Sequence, residues 1–265
     1  MFKLGLSSFS FSWKIKHDPA WTPRELLEVA KREKVPVLQF GDNMPLAALR
    51  DDELYLLAHE AEEAGIAIEV GMRGLFAEEV RRYLEICRLV KANFLRLVID
   101  QGGFEPAEAE VVELLREVAP NLEAHGVMMG IENHDRFRSR TLTRIIETVE
   151  SPWLGICLDT ANSIGAGEGM EETVRTLAPY TVNVHLKDFT IRRIPSQLGL
   201  AVEGAVAGTG RLDIPWILKQ IPRKEISVVL EQWPPQQPDM EKTLELEERW
   251  VGESVQNLKK ILAAQ

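Results

Sequence analysis

Apolar residues fall along this chain in two alternating rhythms. Eight short runs are apolar almost throughout: KLGLSS (3–8), VPVLQF (35–40), IAIEVG (66–71), FLRLVI (94–99), VMMGIE (127–132), LGICLD (154–159), TVNVHLK (181–187) and ISVVLE (226–231). Their length and their bounding turn residues predict buried strands. Between them lie longer stretches, such as TPRELLEVAKREK, DDELYLLAHEAEEAG, FAEEVRRYLEICRLVKA and PAEAEVVELLREVAPNLEAHG, where apolar residues recur every three or four positions with charges between. That period predicts amphipathic helices. Thr22 before Pro23 reads as an N-cap and first turn, while Gly65 and Gly126 close the second and fourth of these helices. A last, Glu-rich helix from about Met240 to Ala263 is expected to pack on the outside.

Strands that alternate with helices pair in parallel, because a parallel neighbour needs a crossover of a dozen or more residues. Eight such units in a chain of 265 residues predict a single-domain (β/α)8 TIM barrel over residues 1–265. The rival, a doubly wound open sheet that binds nucleotides, needs a glycine-rich phosphate loop after the first strand, and none is there. The Gly208-Thr209-Gly210 stretch lacks the preceding strand and GK[ST] ending of a phosphate loop, so it reads as a turn near the site.

A barrel of this kind builds its active site at the C-terminal ends of its strands. There the apolar runs break into polar groups: Glu132-Asn133-His134-Asp135, Asp159-Thr160-Ala161-Asn162, His185-Leu186-Lys187-Asp188 and Glu231-Gln232-Trp233. Alternation along the seventh run sends Val182, Val184 and Leu186 outward and Asn183, His185 and Lys187 inward. The same parity turns Ser227, Val229, Glu231 and Trp233 inward on the eighth, so Glu132, Asp159, His185 and Glu231 can converge. Three carboxylates and an imidazole in a dry mouth repel unless something compensates them, and a divalent cation does so. An oxygen-rich set with one nitrogen suits Mn2+, with Mg2+, Co2+ or Zn2+ as alternatives. Any one of these residues alone is as readily a surface acid or a hydrogen-bonded core histidine; the four together make the metal centre the stronger reading.

Composition narrows the partners. With 45% hydrophobic and 27% charged residues the chain is an ordinary globular protein, and its net charge of −10 without a basic block argues against nucleic acid. No run approaches the roughly 18 apolar residues of a membrane span, and MFKLGLSSFSFSW has no secretory pattern, so a cytoplasmic protein is expected. Cys87 and Cys157 fall in a helix and a buried strand and read as reduced core thiols.

GIENHD, CLDTAN, VNVHLKD, AGTGRLD and VVLEQW, in that order, resemble the sugar isomerase and epimerase superfamily with a xylose isomerase-like barrel, across nearly the whole chain. The resemblance implies that Glu132, Asp159, His185 and Glu231 hold one divalent metal and that Glu132 and Glu231 also serve as the acid/base pair. It implies a ketose or keto-polyol substrate, isomerised or epimerised by proton transfer through an enediolate, and it leaves a homo-oligomer open. His134, Asn162, Lys187, Trp233 and Trp13 are candidate substrate contacts; Phe11 is a further aromatic at the rim. Lys187 could equally pair with Asp188 or Glu132, and Arg96 with Glu69 is expected as a buried ion pair below the metal. Arg192, Arg193 and Arg211 are either solvated or anion-binding. Asn162 stands where the trinuclear-zinc endonuclease IV branch carries a histidine, which disfavours that hydrolase. A metal-dependent lyase or dehydratase and a non-catalytic sugar-binding relative stay as alternatives.

Overall fold

The computed structural model describes residues 1–196 and 198–265. All eight expected strands form, as β1 (Lys3–Ser7), β2 (Val37–Phe40), β3 (Ala67–Arg73), β4 (Phe94–Val98), β5 (Met128–Glu132), β6 (Leu154–Asp159), β7 (Thr181–Leu186) and, after an inserted hairpin, β10 (Ser227–Leu230). They pair in parallel in chain order, and β10 closes on β1, which makes the (β/α)8 barrel. Around it run α1 (Ser12–His17), α2 (Pro23–Glu33), α3 (Asp51–Glu63), α4 (Ala77–Leu89), α5 (Glu108–His125), α6 (Ser139–Val149), α7 (Met170–Leu177), α8 (Ile214–Gln220) and α9 (Met240–Ala263).

The helices follow the local chemistry. In α2, Thr22 and Glu25 form a reciprocal capping box ahead of Pro23 in the first turn, and Leu26, Leu27, Val29 and Ala30 turn inward. A fully buried leucine contributes about 1.5–3 kcal/mol, so this face holds the helix on the barrel. Gly65 and Gly126 take left-handed backbone angles, φ +67° and +63°, where α3 and α5 end. The short α1 was not foreseen. Its first backbone N–H groups, of Trp13 and Lys14, donate to the two oxygens of Glu247 at 2.8 and 2.9 Å. Glu247 thereby anchors α1 from α9, otherwise an outer helix packed through Val251, Val255 and Leu258. Burial pushes its carboxyl up to about 7, although the Trp13 and Lys14 N–H groups oppose the rise.

Between β7 and α8 the chain adds an antiparallel hairpin, β8 (Phe189–Arg193) and β9 (Leu200–Gly204), pairing Ile191 with Val202. The eight apolar runs do not include this hairpin, although Phe189 and Ile191 alternate with Thr190 and Arg192. Arg192 is bound to Glu203 across the hairpin. Asp188 gathers the following turn: its carboxylate accepts from the N–H groups of Gly208, Gly210 and Leu212 at 2.9, 2.9 and 3.1 Å. The Gly208-Thr209-Gly210 stretch is thus a turn folded on Asp188.

One irregularity decides the level of the site. Ile156 pairs with Thr181, but Cys157 pairs with Asn183 and Asp159 with His185, so β7 carries one extra residue at Val182. Continued without that step, the first register would set Asp159 beside Val184. The bulge also overturns the outward placement of Val182, which packs with Phe94 and Cys157 inside the barrel while Val184 and Leu186 face the helices. Gly155 makes room, since a Cβ there would collide with Val182 Cγ1 and lie 2.9 Å from the Tyr180 carbonyl. Cys157 and Cys87 are free, buried thiols, and burial pushes Cys87 up to about 12. Among the described residues no helix is long and apolar enough to cross a membrane.

Candidate active site

His185 sits at the centre of the barrel mouth, wholly buried, and its Nδ1 faces Glu231 Oε1 at 3.2 Å and Glu132 Oε2 at 3.4 Å. Asp159, in register with it, has one oxygen fixed by the N–H groups of Ala161 and Asn162, both at 2.8 Å. Asn133 locks the strand end, accepting from Asp159 N–H at 2.7 Å and donating to Asp159 O at 2.9 Å. Ser7 donates to Glu231 Oε1 at 2.9 Å, and Asn162 donates to Glu132 Oε1 at 2.7 Å. Glu132 and Asp159 therefore each keep one oxygen for the protein and turn the other inward, while Glu231 Oε1 serves both Ser7 and His185.

Two cations stand among them, the buried Arg96 and the half-buried Lys187. Lys187 Nζ lies 2.8 Å from Asp159 Oδ2, 3.0 Å from Glu231 Oε2 and 3.3 Å from Asn162 Oδ1. Its expected partners, Asp188 and Glu132, are otherwise engaged. Arg96 Nε lies 2.8 Å from Glu132 Oε2 and its Nη1 2.8 Å from Asp42 Oδ1. The expected Arg96–Glu69 pair is thus wrong, and register explains why: Arg96 pairs with Gly71, so Glu69 lies one inward layer below. There Glu69 accepts from Gln39, Asn183 and Ser227 instead.

Burial would push the Glu231 carboxyl up, but His185, Lys187 and Arg96 outweigh it and hold it down to about 2. Burial dominates at Asp159 and raises its carboxyl, with Lys187 opposing and Glu132 adding to the rise. The same carboxylates lift Lys187 well above the ordinary lysine value against the pull of burial, so it carries its charge.

The arrangement suits a divalent cation. Although Arg96 and Lys187 stand at ion-pair distance, no well-directed hydrogen bond reaches Glu132 Oε2, Asp159 Oδ2 or His185 Nδ1, all buried. Asp159, His185 and Glu231 offer ligand atoms within 4.8 Å of one another, and Glu132 meets the same His185 in a second such set with Cys157. Burial, then the nearby Glu132, pushes the Cys157 thiol far up, and its Sγ donates to Asn183 Oδ1 at 3.5 Å, which leaves it as filling.

A cavity of about 400 Å³ opens above this cluster, bounded by Phe9, Asn162, Lys187, Val202, Glu231 and Trp233. Trp13 lines an adjoining groove and donates its indole N–H to Pro234 O at 3.0 Å. His134 turns aside, with Nε2 3.4 Å from Arg73 Nη2 and Nδ1 3.5 Å from Asp135. Phe11 is buried against Trp21. Sequence reasoning overlooked Ser7, Gln39 and Asp42. Gln39 was the visible one, a lone amide at an inward position of an apolar strand.

Comparison with known proteins places the chain. Residues 46–261 match the family described as xylose isomerase-like TIM barrel, and the chain belongs to that family. It is 32% identical over 262 residues, 96% of this chain and 94% of the other, to the 3-oxo-isoapionate decarboxylase of Pectobacterium atrosepticum. Its fold is that of a D-psicose 3-epimerase crystallised in the presence of D-fructose, at a TM-score of 0.75 and 14% identity, covering 98% of this chain and 99% of that one. The IOLI protein with a binding zinc atom superposes at a TM-score of 0.72 and 16% identity, covering 99% of each.

Proposed function

We propose that this chain is a divalent-metal-dependent lyase that removes carbon dioxide from a 3-oxo sugar acid. The observation that carries this reading is Lys187 inside the carboxylate cluster, 2.8 Å from Asp159 and 3.0 Å from Glu231. Asp42 and Arg73 offset each other, being paired at 3.0 Å. Burial raises the Glu69 carboxyl in the layer below, which leaves Glu132, Asp159 and Glu231 against Lys187 and Arg96. A divalent ion, held with His185 neutral, adds one positive charge more than the carboxylates absorb. A substrate carboxylate restores neutrality, where a neutral ketose would leave a costly buried excess. The similarity to a decarboxylase over nearly the full length supports the same class.

Glu132, Asp159, His185 and Glu231 would hold the ion, Mn2+ by its preference for an oxygen-rich set, with Mg2+, Co2+ or Zn2+ also suited. When bound, the metal polarises the substrate carbonyl next to the bond that breaks. Lys187 binds the substrate's anionic end. As the carboxylate carbon departs as carbon dioxide, the electron pair of the broken bond passes into the carbonyl to form an enediolate. The Lys187 ammonium then gives a proton to the carbon and recovers one from solvent. Trp233, Phe9 and Val202 wall the cavity and exclude water.

The proton-transfer reading, isomerase or epimerase on a ketose or keto-polyol, is favoured by one observation: Glu132 and Glu231 both face His185 Nδ1, at 3.4 and 3.2 Å. There they would act as the acid/base pair across the substrate. The test separates the two. Metal-loaded protein is incubated in D2O with 3-oxo sugar acids and with ketoses. Carbon dioxide release with one deuterium gained, lost in Lys187→Met, is the expected result. Exchange of a carbon-bound proton without carbon dioxide, lost in Glu231→Gln, makes it an epimerase or isomerase. Binding of either substrate class without turnover would leave a non-catalytic sugar-binding protein.

A further inference from the structure

Beneath the candidate metal ligands lies a fully hydrogen-bonded layer. Gln39 on β2 and Glu69 on β3 are register partners, and both side chains are buried. Glu69 Oε2 accepts from Gln39 Nε2 at 2.9 Å and from Asn183 Nδ2 at 3.0 Å, and Glu69 Oε1 accepts from Ser227 Oγ at 2.5 Å. The other end of the Gln39 amide, Oε1, lies 2.6 Å from His185 Nε2.

We infer that Glu69, acting through Gln39, selects the ring nitrogen that His185 presents to a metal. The two are then positioning residues for the centre, an inference that rests on the metal reading above. The polarity runs in one direction. Glu69 Oε2 already accepts from the Asn183 NH2 and is an acceptor, so the Gln39 amide must turn its NH2 toward it. Its carbonyl oxygen then faces His185 and can only accept, so Nε2 keeps its proton and any proton a metal displaces is the one on Nδ1. Nδ1, aimed between Glu132 and Glu231, is the nitrogen left for a metal. Glutamine at position 69 has nearly the same shape but can donate, which lets the Gln39 amide turn over. Its NH2 would then face His185 Nε2 and drive the ring proton onto Nδ1, where it blocks the metal.

The test uses the full chain. Titration of Mn2+ or Zn2+ by calorimetry reads affinity, and 15N–1H correlation spectra of the metal-free, histidine-labelled protein read the tautomer. Wild type is expected to carry the Nε2 proton on His185. Glu69→Gln should keep the wild-type circular dichroism spectrum, lose that tautomer and bind metal roughly 10–100-fold more weakly. The exchanged pair, Gln39→Glu with Glu69→Gln, restores an acceptor at His185 and a donor behind it. It should recover both affinity and tautomer, which a merely structural role would not produce. Wild type without a proton on Nε2, Glu69→Gln with unchanged affinity, or an exchanged pair as weak as the single variant overturns the inference. If Glu69→Gln does not fold, the wild-type tautomer and the exchanged pair decide. Wild type that binds no divalent ion overturns the metal reading itself, and is told apart from these outcomes by the titration alone.

Discussion

The ammonium of Lys187 lies 2.8 Å from Asp159 Oδ2 in a pocket where Asp159 is wholly buried. The lysine thus supplies, in the metal-free fold, part of the positive charge that the carboxylate cluster requires. Removing it exposes that dependence. Lys187→Met should destabilise the metal-free protein by about 3–5 kcal/mol, the cost of stranding a buried charge, and added Mn2+ should recover much of it. Urea unfolding with and without the ion checks this; an unchanged midpoint without metal would show that the cluster is neutralised by protonation instead.

A ligand that binds only the folded state stabilises it. A divalent ion at 100 times its dissociation constant should add about 2.7 kcal/mol and raise the melting temperature, and a chelator should reverse the shift. His185→Ala, which removes the nitrogen shared by both candidate ligand sets, should abolish the response. Metal analysis of wild type should find about one equivalent, because both ligand sets share the one imidazole.

Glu247 makes stability depend on pH. Its folded pKa, about 7, stands above the ordinary glutamate value of 4.5, so the folded state holds the proton more tightly than the unfolded chain. The contribution is fully present below about pH 4.5 and is lost as pH rises through 7, by on the order of 3 kcal/mol. Glu247→Gln keeps a neutral side chain at every pH. Its stability relative to wild type should therefore improve between pH 5 and pH 8.5, as read by urea unfolding at both; a constant difference would mean that Glu247 ionises normally.

Gly155 lies against the bulged residue Val182 and the Tyr180 carbonyl. Gly155→Ala should cost roughly 1–3 kcal/mol through overpacking. If the bulge straightens to relieve the clash, His185 leaves the level of Asp159 and metal affinity falls too. Urea unfolding of the variant measures the first consequence and calorimetric titration of metal the second.

Much of this molecule was legible along the chain. The eight apolar runs and their helices defined the barrel because burial on both faces of a strand and on one face of a helix leaves distinct periods. Glu132, Asp159, His185 and Glu231 were legible as a group because strand ends in such a barrel share one mouth. Arg96 and Glu69 were misjudged as partners for a reason that parity cannot supply. Parity says which residues point inward, whereas the stagger between neighbouring strands says at what depth they meet.

Sequence by itself determined the architecture, the inward residues other than Val182 and the chemical types at the mouth, since these depend on local periodicity and composition. Only the tertiary structure decided that Lys187 lies on Asp159 and Glu231, that Arg96 takes Glu132 and Asp42, and that Gln39 receives His185. Those contacts depend on register across strands far apart in the chain, including one extra residue at Val182, and no local pattern encodes a register.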